Sequence, residues 1–192
     1  MKIKTFSVAI IIAIAIIAYF VVPWVMMALG TTLMPNPPKP EITHGEFPFR
    51  LVYEINGEQK VVQDTLVCDY DGIGMNEGQG KYRKWKERLA SGKEILILLE
   101  VSNPVSLGSS TKAVKQEIYY STGSVRYYMG DLEDYEGYAE SFPNASLYEK
   151  YADGSSDDCR INADELYKKY HIKLISWDIT KPIKNTFGTT KK

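Results

Sequence analysis

The stretch GEFPFRLVYEINGEQKVVQDTLVC, residues 45–68, decides the fold of this chain. Along its first half, large apolar side chains alternate with more polar ones, which is typical of a strand with one buried face. These apolar residues are Phe47, Phe49, Leu51, Tyr53 and Ile55. Asn56-Gly57 follows directly, and both residue types tolerate the positive φ angles that a type I′ turn requires. The stretch therefore predicts a β-hairpin whose second strand runs over residues 60–70.

Other strands are predicted further along the chain. A buried strand is predicted over residues 93–101, KEILILLEV, because this run is rich in Ile, Leu and Val but too short to cross a bilayer. A second hairpin is predicted around Thr122-Gly123, with a strand on each side of that dipeptide. The closing strand is predicted over residues 172–179, IKLISWDI.

Short helices are predicted between these strands. The first covers residues 81–92, where Tyr82, Trp85 and Leu89 recur at i, i+3 and i+7. Gly92 stands where such a helix would end.

Two more helices are predicted closer to the carboxyl terminus. Residues 145–151, ASLYEKY, follow Pro143-Asn144, which is a suitable start for a short helix. Residues 163–170, ADELYKKY, follow Asn162, which is a good N-cap, and carboxylates in their first turn suit the helix dipole. The segments 102–111 and 131–141 are predicted to be a loop and a solvated acidic excursion.

The amino-terminal segment predicts a transmembrane helix. No charged residue occurs between Lys4 and Lys39, and residues 6–29 are almost wholly apolar, which at the helical rise gives roughly 36 Å. A secretory signal has a shorter apolar region of roughly 7 to 15 residues, so the length favours a retained anchor over cleavage after Gly30. Lys2 and Lys4 place the amino terminus in the cytoplasm by the positive-inside rule. The rest of the chain is then extracytoplasmic.

The predicted organisation has four parts and an α+β fold class. Residues 1–30 form the cytoplasmic tip and the anchor, which contacts the lipid bilayer through residues 6–29. A proline-rich spacer, residues 31–43, precedes one small strand-rich domain of antiparallel hairpins with about five or six strands and two or three short helices. This domain covers residues 44–181 and leads to a polar tail, residues 182–192.

Composition and motifs exclude several classes of function. Of the 23 Lys and Arg, two precede the anchor, which leaves 21 against 24 Asp and Glu and a net charge near −3, so no nucleic-acid partner is expected. Common catalytic signatures such as GxSxG, HExxH and CxxC do not occur. His44 and His171 are too few and too far apart to indicate a metal site. No catalytic or cofactor-binding residue is predicted.

The two cysteines leave two interpretations open. Outside the cell, Cys68 and Cys159 either form a disulfide or remain separate thiols. A bridge would gather up to four neighbouring carboxylates, which would repel one another unless they are solvated or bind a hard cation such as Ca²⁺. This low-affinity calcium site would comprise Asp69, Asp71, Asp157 and Asp158.

A basic segment with interleaved aromatic residues predicts a contact with an anionic membrane surface, although such a segment is also typical of a solvated amphipathic helix. Its basic residues are Lys81, Arg83, Lys84, Lys86 and Arg88.

Several quoted segments together resemble membrane-anchored exported proteins of Gram-positive bacteria that are themselves uncharacterised. They are the anchor, the proline spacer, GEFPFRLVYEINGE, DTLVCDYDGIG, GKYRKWKERLASG and SVRYYMGDL. The resemblance implies an exported location and carries no activity. We expect a membrane-anchored binding module, with a protein partner in the envelope. The alternatives are an envelope enzyme using carboxylates of residues 69–77 and 153–158, or a structural or immunity-type membrane protein.

Overall fold

The computed structural model describes residues 2–76, 80–102, 113–132 and 141–188, with the side chains of the first helix described from Ile14 onward. The helices are α1 (Lys2–Leu33), α2 (Val125–Tyr128) and α3 (Ala163–Tyr170). The strands are β1 (His44–Ile55), β2 (Glu58–Asn76), β3 (Gly80–Leu89), β4 (Leu96–Ser102), β5 (Ala113–Tyr120), β6 (Ala145–Tyr151), β7 (Ser156–Ile161) and β8 (Ile172–Ile179). The chain forms two compact units, which are described in turn.

The first unit joins Met1–Lys39 to Asp71–Lys84. Its helix α1 continues through Pro23 and ends at Leu33, three residues beyond the predicted end of the anchor. The segment Ile14–Leu33 is long and apolar enough to cross a membrane, with a mean hydropathy of 2.1. None of this segment is buried within the protein. It therefore has the length and composition of a membrane anchor or a signal sequence.

The second unit, Pro40–Tyr70 with Trp85–Gly188, is built on the predicted hairpin. β1 and β2 pair antiparallel, and Asn56 and Gly57 form the turn with φ angles of 53° and 83°. The first sheet has the order β3-β2-β1-β8. The strong period of two in β1 and the turn residues together explain why this prediction is confirmed.

A second antiparallel sheet, of order β4-β5-β6-β7, packs with the first around one hydrophobic core. The ring of Trp177 on β8 lies 4.7 Å from that of Tyr120 on β5, centroid to centroid, and so joins the two sheets. Leu166 of α3 is also fully buried in this core. The predicted fold class is confirmed, with eight strands among the described residues.

Two predicted helices are wrong because they are strands. Residues 81–92 fall mostly in β3, where Lys81, Arg83 and Trp85 are partly buried and the residues between them are exposed. The spacing of the aromatic residues fits a helix, but pairing with β2 imposes a period of two. Residues 145–151 form β6, whose alternate positions are buried between two neighbouring strands.

The second hairpin is also predicted wrongly. The strand before Thr122-Gly123 exists as β5, but the chain then forms helix α2, and β5 pairs with β4 and β6 instead. Asp131, in the predicted solvated excursion, is buried and accepts a 2.7 Å hydrogen bond from the indole N–H of Trp85. Most of both predicted loops, residues 103–112 and 133–140, lies outside the described residues.

Residues 182–188 remain part of the second unit. The Asn185 side chain accepts a hydrogen bond from the Ile42 N–H at 3.0 Å and donates one to the Ile42 carbonyl at 2.8 Å. The Glu41 N–H donates to the Thr186 carbonyl at 2.9 Å. The first residues of the predicted tail therefore hold the start of the unit, which begins at Pro40 rather than at residue 44.

Candidate functional site

A row of polar residues crosses the inner face of the second sheet. Gln116 on β5 lies opposite Glu149 on β6, which in turn lies opposite Asp157 on β7. The neighbouring row is Ile118, Leu147 and Cys159, and the first two of these belong to the core. Since side chains directly opposite share one face of a sheet, the inner face changes from apolar to polar within one row. We call Gln116, Glu149, Tyr151 and Tyr170 the Glu149 cluster.

Hydrogen bonds hold Glu149 in one orientation. Its Oε1 accepts from the Gln116 amide at 2.8 Å, and its Oε2 accepts from the Tyr151 hydroxyl at 3.0 Å. Gln116 and Glu149 are only 2% and 5% exposed. Burial and the nearby charge of Glu149 raise the pKa of Tyr170 to about 12. Tyr170 is therefore a neutral hydrogen-bonding group beside this carboxylate at physiological pH.

A buried carboxylate is costly unless its oxygens are hydrogen-bonded, and here both are. Glu149 itself is too enclosed to meet a ligand directly, but its strand β6 pairs with the exposed edge strand β7. The accessible part of the candidate site is therefore β7, where Ser156 to Arg160 are all exposed.

The predicted cysteine pair occupies two different environments. Cys68 is fully buried on β2, whereas Cys159 is exposed on β7, and both are free thiols in the structure. Burial raises the pKa of the Cys68 thiol to about 12. Burial, followed by the charge of Asp157, also raises the pKa of Cys159. The two strands belong to different sheets, and the structure does not join these sulfurs.

The predicted calcium ligands are likewise divided between the two sheets. Asp69 and Asp71 lie on β2, and Asp157 and Asp158 lie on β7. Asp158 accepts hydrogen bonds from the Tyr119 hydroxyl at 2.8 and 3.0 Å. Among the described residues, no group of three or more His, Cys, Asp or Glu is placed to hold a metal ion. Calcium binding stays a prediction from the sequence.

One histidine has acidic neighbours at the surface. His44 Nδ1 lies 2.7 Å from Asp69 Oδ1, and its Nε2 lies 3.5 Å from Glu46. The hydrogen bond with Asp69 is the main reason that the pKa of His44 is raised. Arg88 approaches the other oxygen of Asp69 at 3.8 Å. These exposed contacts form a charged surface patch in which Asp69 is already paired.

The predicted membrane-surface residues do not form one face. On strand β3 the side chains of Lys81 and Arg83 project to one side, and those of Lys84, Lys86 and Arg88 to the other. Lys84 pairs with Asp71 at 2.7 Å. A contact between these five residues and a membrane stays a prediction. The five residues would not form one face of a helix in such a contact, because this segment is a strand.

A wide groove lies on the first sheet. It has a volume of about 710 Å³, and its floor includes Arg50, Gln63 and Asp178, which are opposite one another in the strand register. The groove is shallow and open to solvent, so it suits contact with an extended surface rather than enclosure of a small ligand. A smaller pocket of about 90 Å³ beside Glu87 and Tyr119 has room for only a few water molecules. The groove is therefore the second candidate contact surface.

No family model, curated protein or solved structure matches this chain. The resemblance to exported proteins of Gram-positive bacteria stays a prediction, and the candidate surfaces rest on geometry alone. Sequence reasoning missed the Glu149 cluster. The signal that would have found it is the alternation Ala145, Leu147, Glu149, Tyr151, which places a carboxylate at an inward position of a strand.

Proposed function

We propose that this chain is a single-pass membrane protein with a cytoplasmic amino terminus, and that its strand-rich unit is displayed outside the cell as a binding module for another envelope component. The observation that carries this proposal is the exposure of α1. Its twenty-residue segment Ile14–Leu33 has no buried residue in the structure. Each large apolar side chain left in water costs roughly 1.5–3 kcal/mol, so a bilayer is the environment that suits this helix.

The strand-rich unit supports the binding role. It has its own core, and its candidate contact surfaces are the exposed edge strand β7, next to the strand that carries Glu149, and the groove at Arg50. An exposed strand and an open polar groove suit recognition of another chain. The spacer with Pro35, Pro37, Pro38 and Pro40 favours an extended linker between anchor and module.

Membrane insertion is tested by charge placement within α1. In the double variant Ile14→Lys/Ile17→Lys, two charges enter the apolar segment, at a cost of roughly 2.5–3.5 kcal/mol each near the helix centre. We expect this variant to be extracted from membranes by alkaline carbonate, whereas the unchanged protein resists extraction. The matched control, Leu33→Lys/Met34→Lys, adds the same charges at the helix end and should remain in the membrane.

Topology is tested with paired reporters fused after Lys192. A reporter that is active only outside the cytoplasm should be active, and one that is active only in the cytosol should be silent. Mature protein that begins at Thr31 would contradict the retained anchor and favour a cleaved signal. Reversed reporter activities would contradict the orientation.

The binding role is tested by photo-crosslinking in intact cells. A crosslinker on the natural thiol of Cys159 probes β7, and one on Gln63→Cys in a Cys159→Ser background probes the groove. We expect one defined adduct from one of these positions, and the same adduct after residues 6–30 are replaced by an unrelated membrane span. Loss of the adduct in that chimera would instead place the partner on the transmembrane helix.

A further inference from the structure

We infer that the end of β2 and the start of β3, residues 71–76 and 80–84, are a second membrane contact that lies in the outer interfacial layer beside the end of α1. We call these two described segments together the hairpin tip. The inference rests on the proposed insertion of α1. It is carried by contacts within the first unit alone.

An ammonium group attaches the hairpin tip to the end of the helix. Lys81 Nζ donates hydrogen bonds to the carbonyls of Thr32, at 3.0 Å, and Met34, at 2.8 Å. The last carbonyls of a helix lack intrahelical partners and carry the negative end of its dipole, so a cation is stabilising there. This contact sets the position of the hairpin tip along the helix axis.

Apolar packing extends the contact toward the preceding turn. A cleft of about 320 Å³ is lined by Met75 of the hairpin tip and by Met27, Ala28 and Thr31 of α1, together with Thr32. Gly80 lies so close to the Met34 side chain that a Cβ at Gly80 would come within 2.7 Å of its sulfur. The hairpin tip therefore lies along the last two turns of α1.

The length of α1 determines the depth of this contact. A hydrocarbon core of about 30 Å takes twenty helical residues. If this core ends with the helix at Leu33, residues 27–33 form its outermost part, about 10 Å deep. If it begins directly after Lys4, it ends at Trp24, and residues 27–34 lie in the headgroup layer. In both placements residues 27–34 lie within about 15 Å of the outer edge of the hydrocarbon. Since the hairpin tip contacts these residues, it lies at the same level.

The exposed side chains of the hairpin tip suit this level. Ile73 and Met75 are 43% and 59% exposed, although both are apolar. Tyr82 lies over Gly74, and tyrosine is a residue type enriched at the membrane interface. Of the basic residues nearby, Lys81 bonds the end of the helix and Lys84 pairs with Asp71, so the exposed apolar residues carry the proposed lipid contact. The hairpin tip lies beside α1, which the bilayer surrounds. The surface of the same bilayer would therefore cover these apolar side chains.

The inference is tested with a fluorescent probe in the full chain, reconstituted into mixed phosphatidylcholine and phosphatidylglycerol vesicles. Cys159→Ser removes the exposed thiol and buried Cys68 stays unlabelled, so a polarity-sensitive probe can be placed on Met75→Cys. Val61→Cys, an exposed apolar position of the second unit, is the matched control. We expect quenchers on shallow lipid positions to quench the probe at position 75 several-fold more strongly than the probe at position 61.

A third probe, on Ile17→Cys, separates this inference from the proposed anchoring. If deep lipid quenchers do not reach position 17, the anchoring of α1 is overturned. If they reach position 17 but position 75 is quenched no more than position 61, the hairpin tip is not a lipid contact. This conclusion holds whether the emission of the probe at position 75 indicates a polar or an apolar environment.

The role of the ammonium group is tested in the same assay. Lys81→Gln should reduce the quenching at position 75, because the bonds to the helix end are lost. Lys84→Gln, on the other side of β3, should leave it unchanged. Equal quenching in both variants would overturn the attachment through Lys81.

Discussion

The two sheets of the strand-rich unit share one core but differ in their inner faces. On the first sheet, the buried inward positions of β1 and of the middle of β2 are aromatic, aliphatic or thiol-bearing. They are Phe47, Phe49, Leu51, Tyr53, Ile55, Leu66 and Cys68. On the second sheet, one row of inward residues is apolar, Ile118 and Leu147, and the next row is polar, Gln116 and Glu149.

This difference separates two tasks. The first sheet closes the core with apolar area, which is the main source of stability. The second sheet has, in place of part of that area, a hydrogen-bonded polar row on β5 and β6, next to the exposed edge strand β7. Stability should therefore depend strongly on the first inner face, and the second should tolerate replacement of its polar row as a set.

The largest expected difference is in thiol reactivity. Cys68, on the first inner face, is buried with a pKa of about 12, so a maleimide reaches it only when the core opens. Cys159 is exposed on β7. In the reduced full chain we expect Cys159 to react on the order of 1,000-fold faster than Cys68, because opening a core costs several kcal/mol. Mass spectrometry of the labelled protein over time measures both rates.

The pH dependence of the Cys159 labelling rate and the variant Cys159→Ser test this prediction further. Because the pKa of Cys159 is raised, its thiolate fraction is still increasing at the ordinary thiol pKa, and its labelling rate should continue to rise above that pH. Cys159→Ser should abolish the fast phase. If neither thiol reacts before a reductant is added, the disulfide interpretation is supported and the separate thiols are excluded.

The next largest effect is expected at Leu51, a fully buried residue of the central strand β1. Leu51→Ala removes buried apolar volume and leaves a cavity, so it should lower the free energy of unfolding by about 2–5 kcal/mol. Urea unfolding of the full chain in detergent measures this loss. Val61→Ala, at an exposed position, should change stability by less than about 0.5 kcal/mol. A loss at Leu51 no larger than at Val61 would contradict the role of the first face.

A smaller loss is expected within the polar row. Gln116→Leu leaves Glu149 Oε1 without its amide donor, so it should cost about 1–3 kcal/mol. The double variant Gln116→Leu/Glu149→Leu removes both partners and should cost less than the single variant, because no buried charge is left unpaired. The same unfolding assay compares the two. If the double variant is the less stable, the polar row is part of the stabilising core.

The smallest effect is expected at the helix that brings Tyr170 to the Glu149 cluster. Asn162 Oδ1 accepts a 2.9 Å hydrogen bond from the Glu165 N–H at the start of α3. Asn162→Ala should therefore cost about 1 kcal/mol, whereas Asn162→Ser, which keeps an acceptor, should cost much less. Equal losses in both variants, measured by thermal unfolding, would show that the cap bond is not what matters.

The sequence correctly predicted those elements whose conformation depends on neighbouring residues in the chain. The turn at Asn56-Gly57 and the cap at Asn162 depend on residues within a few positions, and both are confirmed. The strands over residues 93–101 and 172–179 are also confirmed, since a short apolar run has few alternatives to a buried strand.

The errors arose where the partner strand decides the structure. Along β3, Trp85 and Leu89 fit a helical period and a period of two equally well, and only pairing with β2 selects the strand. Along β6, the inward Glu149 masks the alternation, because its hydrogen-bond donors lie on another strand and at Tyr151. The candidate site was missed for the same reason, since Gln116 and Glu149 are 33 residues apart in the chain.

The contact between residues 41–42 and 185–186 has a practical consequence for expression of the strand-rich unit. Because Asn185 bonds both backbone groups of Ile42, the entry and exit of this unit are adjacent. A circular permutant with a short linker between Gly188 and Pro40 should fold, with new termini in the turn at Gly154. A truncation that stops at residue 181 would instead remove the hydrogen bonds that hold residues 41 and 42, just before strand β1.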